Sequence, residues 1–175
     1  MDPHKSYIIW FTPRTGNTYL CHLVQQCEIA GHPGEYFNKD DAQSLLDYYK
    51  LKSYAQIRDH LWRLGCSENG VMGMKYSFSH SSYESISSEL IRLQSLSPDN
   101  RLDWQIMDNL FPNCRHIFLT RRNKIRLAVS WWKAIQDQQW HFKQGEHRLH
   151  SADFYQDRYD VNALVHLLKD HNLRE

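Results

Sequence analysis

The stretch Tyr7-Ile8-Ile9-Trp10-Phe11 is continuously apolar and rich in β-branched and aromatic residues, and it stops at Thr12-Pro13. A run that short with no polar alternation fits a strand buried on both faces, as inside a parallel sheet. After Gly16 the period changes. Leu20, Leu23, Val24 and Cys27 fall at i, i+3, i+4 and i+7, the stripe of an amphipathic helix that the pattern carries to near Gly31. Strand, small turn and helix together form the opening unit of an α/β fold.

The alternation continues. Helical patterns run from Ala42 to Tyr49 and from Tyr54 to Leu64, the second opened by a Ser53/Gln56 capping box and stopped by Gly65. Gly70 to Tyr76 reads as a second strand and His116 to Thr120 as a third. Between them, Tyr83, Ile86, Leu90 and Leu93 mark one helix. Trp104, Met107 and Leu110 mark another, cut off at Phe111-Pro112. A helix follows from about Lys124 to Gln139, and a last one from Val161 to His171 behind Asp160 as N-cap. Trp140 to Asp160 shows no clean period, and a segment of that length suits a lid or binding loop. Strands separated by helices predict a three-layer α/β fold with a mostly parallel sheet and a P-loop-like turn after the first strand. At 175 residues the expectation is a single domain spanning 1–175.

Composition narrows the partners. With 21 Lys+Arg against 20 Asp+Glu the formal net charge is +1, too little for general nucleic-acid binding through phosphate neutralisation. Cys21, Cys27, Cys66 and Cys114 form no C-x-x-C pair, which argues against a zinc site or disulfide framework and for reduced thiols in the cytoplasm. No apolar run approaches the ~18 residues of a spanning helix, and no small-residue cleavage site follows the first strand. The expectation is a soluble, unexported chain.

Pro13-Arg14-Thr15-Gly16-Asn17-Thr18 sits between the buried strand and the helix. Free N–H groups and the positive dipole end at a helix start make an anion site, Gly16 permits close backbone approach, and Asn17 and Thr18 add short donors. An ordinary strand-to-helix turn uses the same residues. The G-x-x-x-x-G-K-[ST] pattern is absent and no magnesium-binding Asp follows a strand, so a magnesium-dependent kinase or ATPase is disfavoured. A second basic junction, Thr120-Arg121-Arg122-Asn123-Lys124, leads into a helix that carries Ser130. Eight residues on a helix turn through ~80° net, which leaves Arg122 and Ser130 on similar faces, able to grip a phosphate. A solvated helix end and a hydroxyl bonded to its own helix are the plainer alternatives.

Taken together, the strand–PRTGNT–helix unit, then GHPGEYF, then FLTRRNKIRLAVSWWKA closely resemble the Stf0-type sulfotransferases, bacterial enzymes that use 3′-phosphoadenosine 5′-phosphosulfate (PAPS). The resemblance runs from Tyr7 to about Trp140. It implies that Arg14, Thr15, Gly16, Asn17 and Thr18 hold the 5′-phosphosulfate, that Arg122 and Ser130 hold the 3′-phosphate, and that Glu35 is the catalytic base. It also implies a possible homodimer and a longer C-terminal stretch than the one present here.

Sulfuryl transfer, like phosphoryl transfer, asks the protein to position the donor, stabilise spreading charge and take a proton from the attacking hydroxyl. Arg14 suits charge stabilisation, because its fork spans two oxygens. Glu35 in Gly34-Glu35-Tyr36-Phe37 can accept the proton. Lys75 ends an apolar strand run at the edge where ligands of open α/β sheets gather. Tyr36, Phe37, Trp132 and Trp140 are candidate acceptor contacts. The reading is a metal-free PAPS-dependent sulfotransferase acting on a saccharide or glycolipid. The alternative is a catalytically incomplete PAPS/PAP or anion-binding module that acts through assembly with a partner.

Overall fold

The computed structural model describes residues 2–40, 42–77, 80–95, 106–140 and 150–174. Among them β1 (Lys5–Phe11), β2 (Val71–Ser77) and β3 (Cys114–Leu119) form an all-parallel sheet in the order β2-β1-β3. Helices α1 (Asn17–Gln26), α2 (Leu45–Tyr49) and α3 (Tyr54–Gly65) lie between β1 and β2 in the chain, and α4 (His80–Ser95) and α5 (Ile106–Leu110) between β2 and β3. Helices α6 (Lys124–Asp137), α7 (Ala152–Asp157) and α8 (Val161–Arg174) follow. The chain passes from β1 to a neighbour on one side and later to a neighbour on the other. Strand order therefore reverses at β1, and ligands of open α/β sheets bind at the carboxyl ends beside such a reversal. The Pro13–Thr18 turn leaves β1 at that end.

The chain divides into two compact units. Unit 1 comprises Met1–Phe11 and Gly16–Leu119, and unit 2 comprises Thr12–Thr15 and Thr120–Glu175. Unit 1 has an apolar core in which Ile8, Ile57, Leu61, Met72, Met74, Leu90 and Phe111 are almost wholly buried. Ile9, pointing to the opposite face of β1, is equally buried, as the unbroken apolar run predicts. Unit 2 has a smaller core around Leu127, Ala128, Trp131, Trp132, Tyr155, Leu164 and Leu167.

Local chemistry explains most boundaries. The Ser53 hydroxyl accepts from Gln56 N at 3.3 Å, the predicted cap, while Gln56 Oε1 reaches past the cap to accept from Lys52 N at 2.8 Å. Asp160 accepts from Asn162 N at 2.8 Å and Ala163 N at 3.2 Å, the expected cap of α8. Ser44 caps α2 and starts it at Leu45, later than the sequence pattern suggests. Trp104, expected at the start of α5, lies outside the described residues.

Three expectations need correction. In α1 the buried positions are Asn17 and Cys21, whereas Leu23 is 41% exposed and Cys27 is exposed, so the helix is rotated away from its apolar stripe. Polar bonds at Asn17, described below, fix that rotation. The helix also ends at Gln26, after which Glu28 adopts a left-handed backbone, well short of Gly31. β3 begins two residues earlier than predicted and is largely exposed, Phe118 at 77%, whereas β2, an edge strand as well, is covered by α3. Finally, the aperiodic stretch after Trp140 contains α7, started by Ser151, whose hydroxyl accepts from Phe154 N. The Ser cap before Ala152 and Asp153 was a usable signal; residues 141–149 lie outside the described set.

Candidate active site

In unit 1 the backbone of the segment carrying Glu35 is stitched to the end of α3, to the α3–β2 connection and to β2. Gly31 N donates to Ser67 Oγ at 3.0 Å, His32 N to Gly65 O at 2.8 Å, and Lys75 N to Gly34 O at 3.0 Å. Gly31 is left-handed (φ 73°), and a Cβ there would stand 2.6 Å from Gly73 N, so the segment reaches β2 only with glycine at this position. Tyr36 closes the turn by donating to Leu64 O at 3.0 Å and to His32 O. Burial, with nearby Tyr49 adding to it, pushes the Tyr36 phenol well above its ordinary pKa, so it stays a neutral donor. These bonds set Glu35 one residue past the Gly34 contact, beside Lys75.

The Lys75 ammonium lies 3.0 Å from Glu35 Oε1 and donates to Asn17 Oδ1 at 3.0 Å. It also stands 5.4 Å from the centroid of the Phe11 ring. Asn17 is the first residue of α1 and is 7% exposed; its Oδ1 faces Lys75, so its Nδ2 hydrogens remain as donors. Thus the first residue after Gly16 and the candidate base share one cation. Two of the three ammonium hydrogens serve these partners and the third is a further donor. Cys21, one turn beyond Asn17, lies under this group. Burial raises its thiol pKa, Lys75 opposes that shift and Glu35 adds to it. Sequence reading missed Cys21 as a neighbour of the site; its i+4 spacing from Asn17 was the available signal. Beside Glu35 is a cavity of about 150 Å³, lined by Glu35, Phe37, Asn38, Lys39, Tyr76 and Ser85 among others.

Gly16 is the N-cap of α1, with φ 91°, and a left-handed residue there turns the chain from loop into helix. Among the described residues no side-chain hydrogen bond caps the start of α1, and no acidic residue stands in its first turn.

The other half of the turn belongs to unit 2. Arg14 Nε donates to Ser130 Oγ at 3.0 Å, joining residues 116 apart in the chain. Arg14 also donates to the Trp140 carbonyl, while Arg121 donates to Arg14 O at 3.4 Å. Arg14 is held in a left-handed conformation (φ 69°), unusual for a residue with a side chain and costing roughly 1 kcal/mol or more. Thr15 Oγ1 donates to Thr12 O at 2.9 Å and closes the loop on itself.

The remaining candidates divide. Arg122 is exposed at the bend before α6 and makes no hydrogen bond to Ser130, whose hydroxyl oxygen takes Arg14 instead. Thr18 is exposed and bonds Asn17 Oδ1 at 3.3 Å. Phe37, 5% exposed, packs edge-on against Tyr76 and Phe111 in the unit 1 core. Trp132, also 5% exposed, packs against Tyr155 in the unit 2 core. Trp140 keeps 40% of its surface exposed. Among the described residues no cluster of three or more His, Cys, Asp or Glu is arranged to hold a metal ion, and no helix is long and apolar enough to cross a membrane.

No curated protein matches the chain. The family model for Stf0 sulphotransferase matches residues 6–175, a span that includes every candidate site residue named above. The chain therefore belongs to the Stf0 sulphotransferase family, whose members transfer sulfuryl groups.

Proposed function

We propose that the chain moves the sulfuryl group of PAPS to a hydroxyl of a saccharide or glycolipid, with no metal taking part. Arg14 to Thr18 hold the 5′-phosphosulfate, Arg122 and Ser130 hold the 3′-phosphate, and Glu35 is the base. The acceptor oxygen attacks sulfur as the S–O bond to the phosphate breaks. A new S–O bond forms, the hydroxyl proton passes to Glu35, and 3′,5′-ADP (PAP) carries away the bonding electron pair.

The observation that carries this reading is the Arg14–Ser130 hydrogen bond. It joins the two sequence motifs that would face the two phosphate ends of one nucleotide. The Ser130 hydroxyl, while accepting from Arg14, retains its own hydrogen for a phosphate oxygen. The uncapped start of α1 supplies N–H groups to the same class of ligand. Asn17 Nδ2 and the third Lys75 hydrogen suit developing charge on the sulfonate or leaving oxygen. Glu35 Oε1 is engaged by Lys75, which orients the carboxylate and leaves Oε2 for an acceptor hydroxyl. The cavity beside Glu35, lined also by Asn38, Lys39, Ser77 and Ser85, offers polar groups suited to sugar hydroxyls.

The test is sulfuryl transfer with calorimetric PAP binding as its control. Glu35→Gln should lower turnover by ~10²–10⁴ and leave PAP affinity unchanged, as loss of a general base predicts. Unaltered turnover removes Glu35 from the mechanism. PAP binding by the wild type with no transfer to any saccharide supports the non-catalytic module instead, and failure to bind PAP refutes both.

A further inference from the structure

His171 is fully buried in α8, yet the reaction described above gives it no role. Its Nδ1 lies 2.8 Å from Thr12 Oγ1 and its Nε2 lies 2.9 Å from Lys124 Nζ. Lys124 also donates to Thr120 Oγ1 at 2.6 Å. All four residues belong to unit 2, together with Arg14 and Ser130.

The chemistry of the partners decides the tautomer. An ammonium has only hydrogens to offer, so Nε2 must accept and its lone pair faces Lys124. The ring proton of a neutral imidazole then resides on Nδ1 and is donated to the Thr12 hydroxyl oxygen. A second ring proton would set two donors face to face beside a positive charge, at a fully buried ring. Thr12 is 3% exposed and is the residue at which the chain leaves β1; its carbonyl takes the Thr15 hydroxyl. The imidazole therefore bonds the first residue of a loop whose second residue after it, Arg14, is held in a strained backbone conformation.

We propose that His171 is a positioning residue for the anion loop. As the Nδ1–H tautomer, oriented by Lys124, it anchors Thr12 and so keeps Thr12–Thr15 in the conformation that presents Arg14 to the donor's phosphosulfate. The inference rests on the assignment of that loop to the donor. It adds that the C-terminal helix controls donor affinity through one hydrogen bond.

Two isosteres separate the two ring nitrogens. Asn places an N–H donor where Nδ1 sits, and Gln places an acceptor where Nε2 sits. His171→Asn should keep PAP affinity within about threefold of wild type, and His171→Gln should weaken it at least tenfold, with the KM for the acceptor unchanged in both. In the wild type at pH 7, imidazole ¹⁵N shifts should report the Nδ1–H tautomer. Backbone amides of Thr12 to Gly16 should exchange faster in His171→Gln than in His171→Asn. Thr12→Val, which removes the acceptor with little change of shape, should match His171→Gln, and Thr12→Ser should match wild type; this pair stands in if a His171 variant fails to fold. Equal PAP affinity and equal loop exchange in the Asn and Gln variants overturn the proposal, as does an Nε2–H ring. Wild type that fails to bind PAP overturns the donor assignment, while the exchange and tautomer results still judge the anchor.

Discussion

The two units fix their reactive groups by different means. In unit 1 Glu35 is held beside Lys75 mainly by backbone bonds, from Gly31, His32 and Gly34 to the β2 region. In unit 2 the loop residues Thr12 and Arg14 are held mainly through side chains, those of His171, Ser130 and Arg121. Backbone stitching depends on how closely two chain segments approach, so it is most vulnerable where a Cβ would intrude. A side-chain network is most vulnerable where one buried partner is removed and the other is stranded.

The largest expected effect breaks the stitching. Gly31→Ala adds a Cβ 2.6 Å from a backbone nitrogen at a position whose φ is already positive. Overpacking and left-handed strain together should cost about 3 kcal/mol or more, read as a lowered urea midpoint. An unchanged midpoint would mean that the Glu35 segment is not held by close approach. Next comes a buried partner in unit 2. The Tyr155 hydroxyl donates to Asp137 at 2.6 and 2.7 Å, and Asp137 is 5% exposed. Tyr155→Phe should cost about 2 kcal/mol by removing a buried hydrogen bond to a charged carboxylate. Equal stability of the two proteins would show that this carboxylate does not depend on the phenol.

The smallest effect is a pH dependence that belongs to unit 1. Burial raises the phenol pKa of Tyr7, Tyr36 and Tyr49 well above the ordinary value. Above pH ~10 the unfolded chain releases these protons while the folded one keeps them, so the folded state binds more protons and stability falls as pH rises. Their contribution is complete below pH ~10. Urea midpoints measured at pH 9 and pH 11 should therefore drop, and a flat profile would contradict the burial of these phenols.

Much of the fold was legible because its signals are local. The apolar run before Pro13, the Ser53 cap and the Asp160 cap each act within a few residues, and each stands where expected. The rotation of α1 was not legible, since it turns Asn17 toward a lysine 58 residues away, which donates to its Oδ1, and leaves Leu23 exposed. Phe37 and Trp132 carry the same aromatic chemistry as Trp140, and only packing separates the two core residues from the exposed one. The Glu35–Lys75 pair was legible as two residues but not as a pair, because the bond from Lys75 N to Gly34 O crosses from loop to strand.

The amino-acid order alone determined an alternation of strands and helices, a glycine-containing turn after the first strand, and the family, because periodicity, caps and contiguous motifs are short-range properties. Tertiary structure alone decided that Arg14 meets Ser130, that Lys75 joins Asn17 to Glu35, and that a histidine in the last helix holds the turn at Thr12. Each of those contacts is a hydrogen bond or ion pair a few ångströms long between residues distant in the chain, and it exists only once the backbone has closed the intervening loops.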